Sequence, residues 1–169
     1  MADRRDQCAR GRPSRVDSLA IVRMTGSRVS MIEIPRDVYA EISGNGRNKI
    51  SAAWVYGGGQ SLAETVTKLT GVEIEHRLEI DMSPAETAKS LVDKTSAYVR
   101  ATPGLDLSAR AAAVDARTVV DGRVLPVRGY TNGPAGAALM VDAGQTRDFL
   151  REVLDAPSGS APADPGCVA

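Results

Sequence analysis

The sequence predicts one domain of the α/β or α+β class, and two observations carry that reading. The chain has 169 residues, 43% of them hydrophobic, which suits a single core. Along it, short β-rich runs bounded by Gly and Pro give way to segments whose apolar residues recur at helical spacing. Residues 1–14, rich in Arg, Asp, Gly and Pro, have no hydrophobic period and read as a loop; 15–155 form the expected domain. Residues 156–169, rich in Pro, Ser, Gly and Ala, read as a disordered tail.

Ser18 to Met24 and Val29 to Ile34 are apolar runs joined by Thr25-Gly26-Ser27, the pattern of a hairpin. Pro35 offers no amide hydrogen to a ladder and ends the second strand, so Arg36 and Asp37 are held at a strand end. Val38 to Ile42 reads as a further strand and Ser43-Gly44-Asn45-Gly46 as a turn. Ile50 to Tyr56 is apolar and small, consistent with a buried helix that Gly57-Gly58-Gly59 ends. Ser61 and Glu64 form a capping box, Leu62, Val66 and Leu69 recur at helical spacing, and Gly71 supplies a left-handed stop.

Val72 to Ile80 alternates, with Val72, Ile74, Leu78 and Ile80 apolar, which predicts a strand with one buried face. Ser83-Pro84-Ala85-Glu86 starts a second capped helix running toward Leu91 and Val92. Beyond it, Leu107 to Arg117 is Ala-rich and helical, and Thr118 to Val127 is strand-like around an Asp121-Gly122 turn. Ala137 to Val141 is a short strand, and Thr146 to Leu154, with Phe149, Leu150 and Val153, is an amphipathic closing helix.

Lys+Arg and Asp+Glu both total 21, so the charge balance gives no argument for wholesale nucleic-acid or anionic-membrane binding. No helix-turn-helix pattern or basic reading helix is visible. Cys8 and Cys167 lie far from any metal-binding spacing. No run of about 18 apolar residues and no apolar signal-peptide core is present, so the polypeptide as written is expected to be soluble. The glycines 57 to 59 lack the following Gly-Lys-Ser/Thr of a nucleotide loop.

Three motifs in one order carry a resemblance: Arg15-Val16-Asp17-Ser18, Ile34-Pro35-Arg36-Asp37, and Lys49-Ile50-Ser51-Ala52-Ala53-Trp54-Val55-Tyr56-Gly57-Gly58. They resemble the R-S-D-T-like strand start, I-P-R-D turn and K-I-N-A-A-Y-x-Y-G-G segment of the LytR-CpsA-Psr family. The resemblance implies an α/β fold, a central mixed sheet flanked by helices on both sides, here lacking the N-terminal edge strand and, after about residue 93, part of the middle. It also implies transfer of a phosphorylated glycopolymer from a polyprenyl pyrophosphate carrier to a peptidoglycan acceptor, by a monomer at the outer face of the cytoplasmic membrane.

Pyrophosphate transfer needs a hard cation on the phosphate oxygens and arginines to take the spread charge. Carboxylates suit Mg²⁺, which takes one or two protein oxygens and keeps several waters. Arginine's planar fork suits phosphate. By the resemblance, Asp17 and, in the turn-like Ala2-Asp3-Arg4-Arg5, Asp3 are the expected Mg²⁺ ligands. Arg15 and Arg36 match the phosphate arginines, Asp37 stands beside them as a metal-side or base group, and Lys49 lies where the family has a lysine near the pocket. Arg15, Arg36 and Asp37 are the expected catalytic residues.

Ala97-Tyr98-Val99-Arg100 resembles the start of an A-Y-x-R-x-R segment, which assigns Arg100 and, further on, Arg110 to substrate binding. Thr102 stands where that pattern has its second arginine, and Ala111-Ala112-Ala113 where glutamines follow. These departures support an alternative, a degenerate non-catalytic paralogue that binds polyprenyl phosphate or cell-wall polymer. Without the resemblance, an Arg/Asp pair at a strand end is usually a solvated ion pair worth about 0–1 kcal/mol. His76, in a segment resembling D-H-Y, reads as structural first and as a general base second. Trp54 and Tyr56 are expected to pack the core or wall a lipid pocket, with Leu62, Val66, Leu69, Leu91 and Val92 as candidate lining.

Overall fold

The protein is described by a computed structural model over residues 16–80, 99–114 and 118–156. The N-terminal loop, the helix expected from Ser83 and the C-terminal tail beyond Ala156 lie outside the described residues.

Strands β1 (Ala20–Thr25) and β2 (Arg28–Glu33) form the expected antiparallel hairpin across Gly26-Ser27, with Gly26 at φ 56°, where a side chain would be strained. Alternation puts Ile21 and Ile32 opposite each other and inside. Strand β3 (Tyr39–Ile42) follows Pro35 and forms a second hairpin with β4 (Gly46–Lys49), whose polar sequence gave no strand signal. Lys49 therefore closes a strand.

Helix α1 (Ala52–Thr70) merges the two helical segments that the sequence separates. The three glycines bend it: Gly57 and Gly58 have non-helical backbones, and Gly58, at φ 63° and ψ −155°, occupies a region open essentially to glycine alone. Ser61 thus lies inside a helix, and the Glu64 carboxylate accepts from the Gln60 amide, so no capping box forms there. Gly71, at φ 75°, ends α1 as expected, its N–H donating to the Thr67 carbonyl at 2.7 Å.

The strand expected over 72–80 shrinks to β5 (Leu78–Ile80), paired antiparallel with β6 (Val99–Ala101). Its apolar side chains also turn outward, Leu78 being 46% and Ile80 52% exposed. His76 and Arg77 are both part-buried in succession, which shifts the alternation by one residue and turns Glu79 inward. Helix α2 (Leu107–Ala112) is shorter than its Ala-rich sequence suggests.

The expected Asp121-Gly122 turn is absent. Both residues lie within one strand, β7 (Val119–Val124), which runs parallel to β2 and completes a sheet of order β1-β2-β7. The reason is a buried contact invisible locally: Asp121 receives Arg28 Nη2 at 2.6 Å and Arg123 Nε at 2.9 Å, and Arg28 Nε also donates to Ser30 Oγ at 3.2 Å. Arg28 and Asp121 are only 4% and 3% exposed, so their pairing favours one register between strands far apart in sequence.

Strands β8 (Gly129–Gly133) and β9 (Gly136–Met140) form a hairpin, the first without a sequence signal and the second as expected. Helix α3 (Ala143–Leu154) closes the chain, capped by Asp142, whose carboxylate accepts from the Gln145 N–H at 2.9 Å. It packs on β2 and on α1, and α1 packs on β3 and β4. Ile32, Ile34, Val38, Ile42, Ile50 and Val153 are the centre of the shared core. The architecture is the expected mixed α/β. The other face of the three-stranded sheet carries Val22, Met31, Val120 and Val124, exposed among the described residues.

Candidate functional site

The backbone around Arg36 and Asp37 is held from three sides. The Val38 N–H donates to the Pro35 carbonyl at 3.0 Å, closing a tight turn; the Arg36 carbonyl accepts from Ser51 N–H at 3.2 Å; and the Asp37 carbonyl accepts from Leu139 N–H at 2.8 Å. Ile34 N–H donates to the Leu19 carbonyl at 2.8 Å, which sets the chain before β1 beside the turn after β2. The residues of two separate motifs therefore meet. Arg36 Nη1 donates to Asp17 Oδ1 at 2.9 Å and its Nε lies 3.8 Å from Asp37 Oδ2, while Lys49 Nζ reaches Asp37 Oδ1 at 2.9 Å.

The result is a row of alternating sign, Asp17, Arg36, Asp37, Lys49, whose side chains are 65%, 39%, 39% and 29% exposed. At that exposure each pair contributes about 0–1 kcal/mol, too little to explain the row as a device for stability. Chemically, it presents two cations and two carboxylates that an anion or a hard cation can reach without unfolding anything.

The domain also holds a cavity of about 650 Å³, whose lining does not include the four side chains of the row. Leu19, two residues beyond Asp17, and Trp54, three beyond the Ser51 that holds Arg36, are part of its wall. Further in, β1, the face of α1 bearing Leu62 and Val66, and the segment from Val72 to Glu79 enclose it. Leu62 and Val66 are thus lining residues as expected, whereas Leu69 packs against the core, and Leu91 and Val92 lie outside the described residues. Trp54 walls the cavity, but Tyr56 does not: it is 49% exposed and accepts through its hydroxyl from the Asn48 amide at 3.3 Å. Asn48 in turn accepts from the Lys49 N–H at 2.8 Å.

The other expected residues divide. Asp3 and Arg15 lie outside the described residues, as does the side chain of Arg100, whose backbone in β6 pairs with Glu79. Arg110 is exposed on α2 and lines the cavity, apart from the row. His76 Nδ1 lies 3.4 Å from Thr102 Oγ1, and the ring lines the cavity beside Gly104. Arg77, also on the lining, was not singled out by sequence, where it falls on the polar positions of a regular alternation.

Among the described residues no group of three or more His, Cys, Asp or Glu can hold a metal ion. Of the two expected Mg²⁺ ligands only Asp17 lies among the described residues, and its exposed carboxylate fits an ion that takes one or two protein oxygens and completes its shell with phosphates and water. Nor, among the described residues, is any helix long and apolar enough to cross a membrane.

The domain is thus a mixed α/β scaffold that carries a row of alternating charges and a cavity walled by apolar and charged side chains. Residues 2–97, more than half of the chain, match the sequence model of the LytR_cpsA_psr family, and the chain belongs to that family. It is 34% identical over 80 residues to the regulatory protein MsrR of Staphylococcus aureus, covering 46% of this chain and 24% of MsrR. To the polyisoprenyl-teichoic acid–peptidoglycan teichoic acid transferase TagU of Bacillus mycoides it is 38% identical over 82 residues, 47% of this chain and 26% of TagU. The chain thus spans about a quarter of the length of these curated relatives. Solved structures of TagT, one bound to LI-WTA and one with bound octaprenyl pyrophosphate lipid, match at TM-scores of 0.62 and 0.57. Both are 13% identical, and the matches cover 83% and 84% of this chain and 84% and 86% of those chains, a likeness of fold.

Proposed function

We propose that the domain transfers a phosphorylated glycopolymer from a polyprenyl pyrophosphate carrier to a hydroxyl of peptidoglycan. The observation that carries this reading is the row from Asp17 to Lys49 together with a 650 Å³ cavity walled by Leu19, Trp54, Leu62 and Val66 among other side chains, which suit a ligand with a charged head and an apolar chain. Family membership supports it, as do the teichoic acid transferase name of TagU and the octaprenyl pyrophosphate bound in TagT. The acceptor places the reaction at the outer face of the cytoplasmic membrane, and a monomer suffices because row and cavity belong to one chain.

In this reading the polyprenyl chain enters the cavity past Trp54 and the diphosphate lies along the row. Arg36, which Asp17 and Asp37 hold in place, takes the phosphate oxygens in a bidentate grip, with Arg15 and Arg100 as the further arginines and Lys49 as a point charge. Asp17, with Asp3 as second carboxylate, would hold Mg²⁺, which would supply neutralisation of the phosphate charge. The acceptor oxygen attacks the phosphorus that bears the polymer, the P–O–P bridge breaks, and polyprenyl phosphate leaves with the bridging oxygen. Asp37 is placed to take the hydroxyl proton.

The test is incubation of the chain with lipid-linked glycopolymer, peptidoglycan fragments and Mg²⁺, with chromatography of the products. Polyprenyl phosphate and polymer-bearing peptidoglycan should form in equal amounts, and Arg36→Ala should reduce the rate at least 100-fold, the loss of a strong transition-state contact. A second reading, a non-catalytic binder, draws on Thr102: its hydroxyl accepts from the Arg77 N–H at 3.0 Å, a structural duty in place of the arginine of the family pattern. Tight binding of the carrier lipid with neither product formed would establish that reading instead.

A further inference from the structure

We propose that the gap between the free edges of β1 and β5 takes one extended segment of a second polypeptide, apolar on both faces, as an added strand. Among the described residues β1 ends the sheet β1-β2-β7, β5 pairs with β6 alone, and no strand pairs with the other edge of either. The Leu19 carbonyl accepts from the Ile34 N–H at 2.8 Å, so the antiparallel alternation turns the backbone groups of Ile21 and Arg23 toward β2 and those of Ala20, Val22 and Met24 away from it. In the same way the Arg77 carbonyl accepts from the Thr102 N–H at 3.0 Å, which leaves the backbone groups of Leu78 facing away from β6.

Both edges border one cavity. Its lining includes the consecutive residues Leu19 to Met24 and Val72 to Glu79, and since alternate residues of a strand point to opposite faces, only an edge presents them all. The floor is α1, through Trp54, Leu62 and Val66. Two edges across one gap suit a strand that pairs on both sides; the outer strand of a second copy's sheet, already paired on one side, can satisfy only one of them. The faces of the gap set the chemistry of the occupant. Trp54, Leu62 and Val66 lie on the inner side and the exposed Val22 and Leu78 flank the outer, so the added strand is a Val/Ile/Leu run like the buried strand of a central sheet. Of the charged groups on the lining, Arg23 is bound to Asp155 and Arg77 to Gln60. Residues 1–15, with Arg4, Arg5, Arg10, Arg12 and Pro13, do not have that pattern, nor do 81–98, with Pro84, Lys89 and Asp93, nor 157–169, with Pro157, Pro162 and Pro165. An open strand edge is a template for another chain, and main-chain hydrogen bonds to an extended peptide are a recurring mode of recognition. The added strand lies at the level of the sheet and walls the cavity above Leu62 and Val66, so the inference does not depend on the lipid reading.

The experiment is titration of the full chain with the C-terminally amidated peptide KVIVLVK, read by calorimetry and by amide hydrogen exchange. Saturable binding is expected, with new protection at the amides of Ala20, Val22, Met24 and Leu78 and none gained at Ile21 or Arg23. The same peptide N-methylated at alternate residues keeps its side chains, loses the donors of one edge, and should bind roughly 10-fold more weakly or worse. Val22→Pro and Leu78→Pro each remove one donor from a free edge and leave the existing ladders their bonds, and each should weaken binding roughly 3- to 10-fold. A folded wild-type chain that does not bind the peptide, or that binds the N-methylated form equally well, overturns the proposal. Protection of those four amides in the free chain at every concentration overturns it in favour of a segment of the chain itself, and protection that rises with protein concentration overturns it in favour of a second copy. No polyprenyl ligand is present, so failure here leaves the lipid reading standing, and failure of lipid binding leaves this inference standing.

Discussion

Asp121 is shared by two guanidinium groups in the interior, and its removal tests how much a single contact organises. Asp121→Asn keeps the shape and removes the charge that Arg28 and Arg123 both face. The expected loss is about 3–5 kcal/mol in urea unfolding, the scale for breaking one partner of a buried pair. At this scale the sequence was informative about Arg36, Asp17, Asp37 and Lys49, because motif spacing placed each at the end of an element and the structure brings them into one row. It could not say that Asp37 would be shared between Arg36 and Lys49, nor that Thr102 would anchor Arg77. Both depend on which strand ends meet, a tertiary matter.

Among the elements, α1 and α3 make separable predictions. Gly58→Ala forces a side chain into a backbone region that only glycine occupies without strain, with no neighbour to clash, so the loss of about 1–3 kcal/mol in urea unfolding is purely conformational. In α3, hydrogen bonding from the Gln145 N–H holds the Asp142 carboxyl below its ordinary range, aided by Arg128. A carboxyl whose pKa is lower folded than unfolded stabilises above its unfolded value, near pH 4, and loses that contribution as pH falls through the depressed value. Asp142→Asn keeps a capping oxygen but cannot titrate. Melting temperatures from pH 2 to 7 should show a shallower acid limb in the variant and little difference at neutrality.

The elements most legible in the sequence were those whose signals are local: the β1-β2 hairpin with its Gly26 turn, the Gly71 stop, and the amphipathic α3. The misread ones owe their state to distant partners. Asp121-Gly122 has turn chemistry and became strand because Arg28 waits across the sheet. Leu78 and Ile80 follow a buried-face pattern and point outward because Arg77 is tied to Thr102. Polar β4 and glycine-flanked β8 are strands only through their hairpin partners.

For the whole molecule, the fold class and the family were readable because three motifs in order outweigh any one of them. The parallel pairing of β2 with β7 was not, since nothing in either strand names the other. That pairing and the hold of β9 on Asp37 tie the charge row to the rest of the domain, and the cavity is built from β1, α1 and the segment before β5. The central claim is that row and cavity together bind a polyprenyl diphosphate. Calorimetry of a short-chain polyprenyl pyrophosphate, with and without Mg²⁺, on the wild-type chain and on Arg36→Ala tests it most directly. Binding should be saturable and strengthened by Mg²⁺, and Arg36→Ala should weaken it by about 1.5–3 kcal/mol, the scale of a charge-assisted hydrogen bond. A folded wild-type chain that does not bind, or an Arg36→Ala variant that binds equally well, would contradict it.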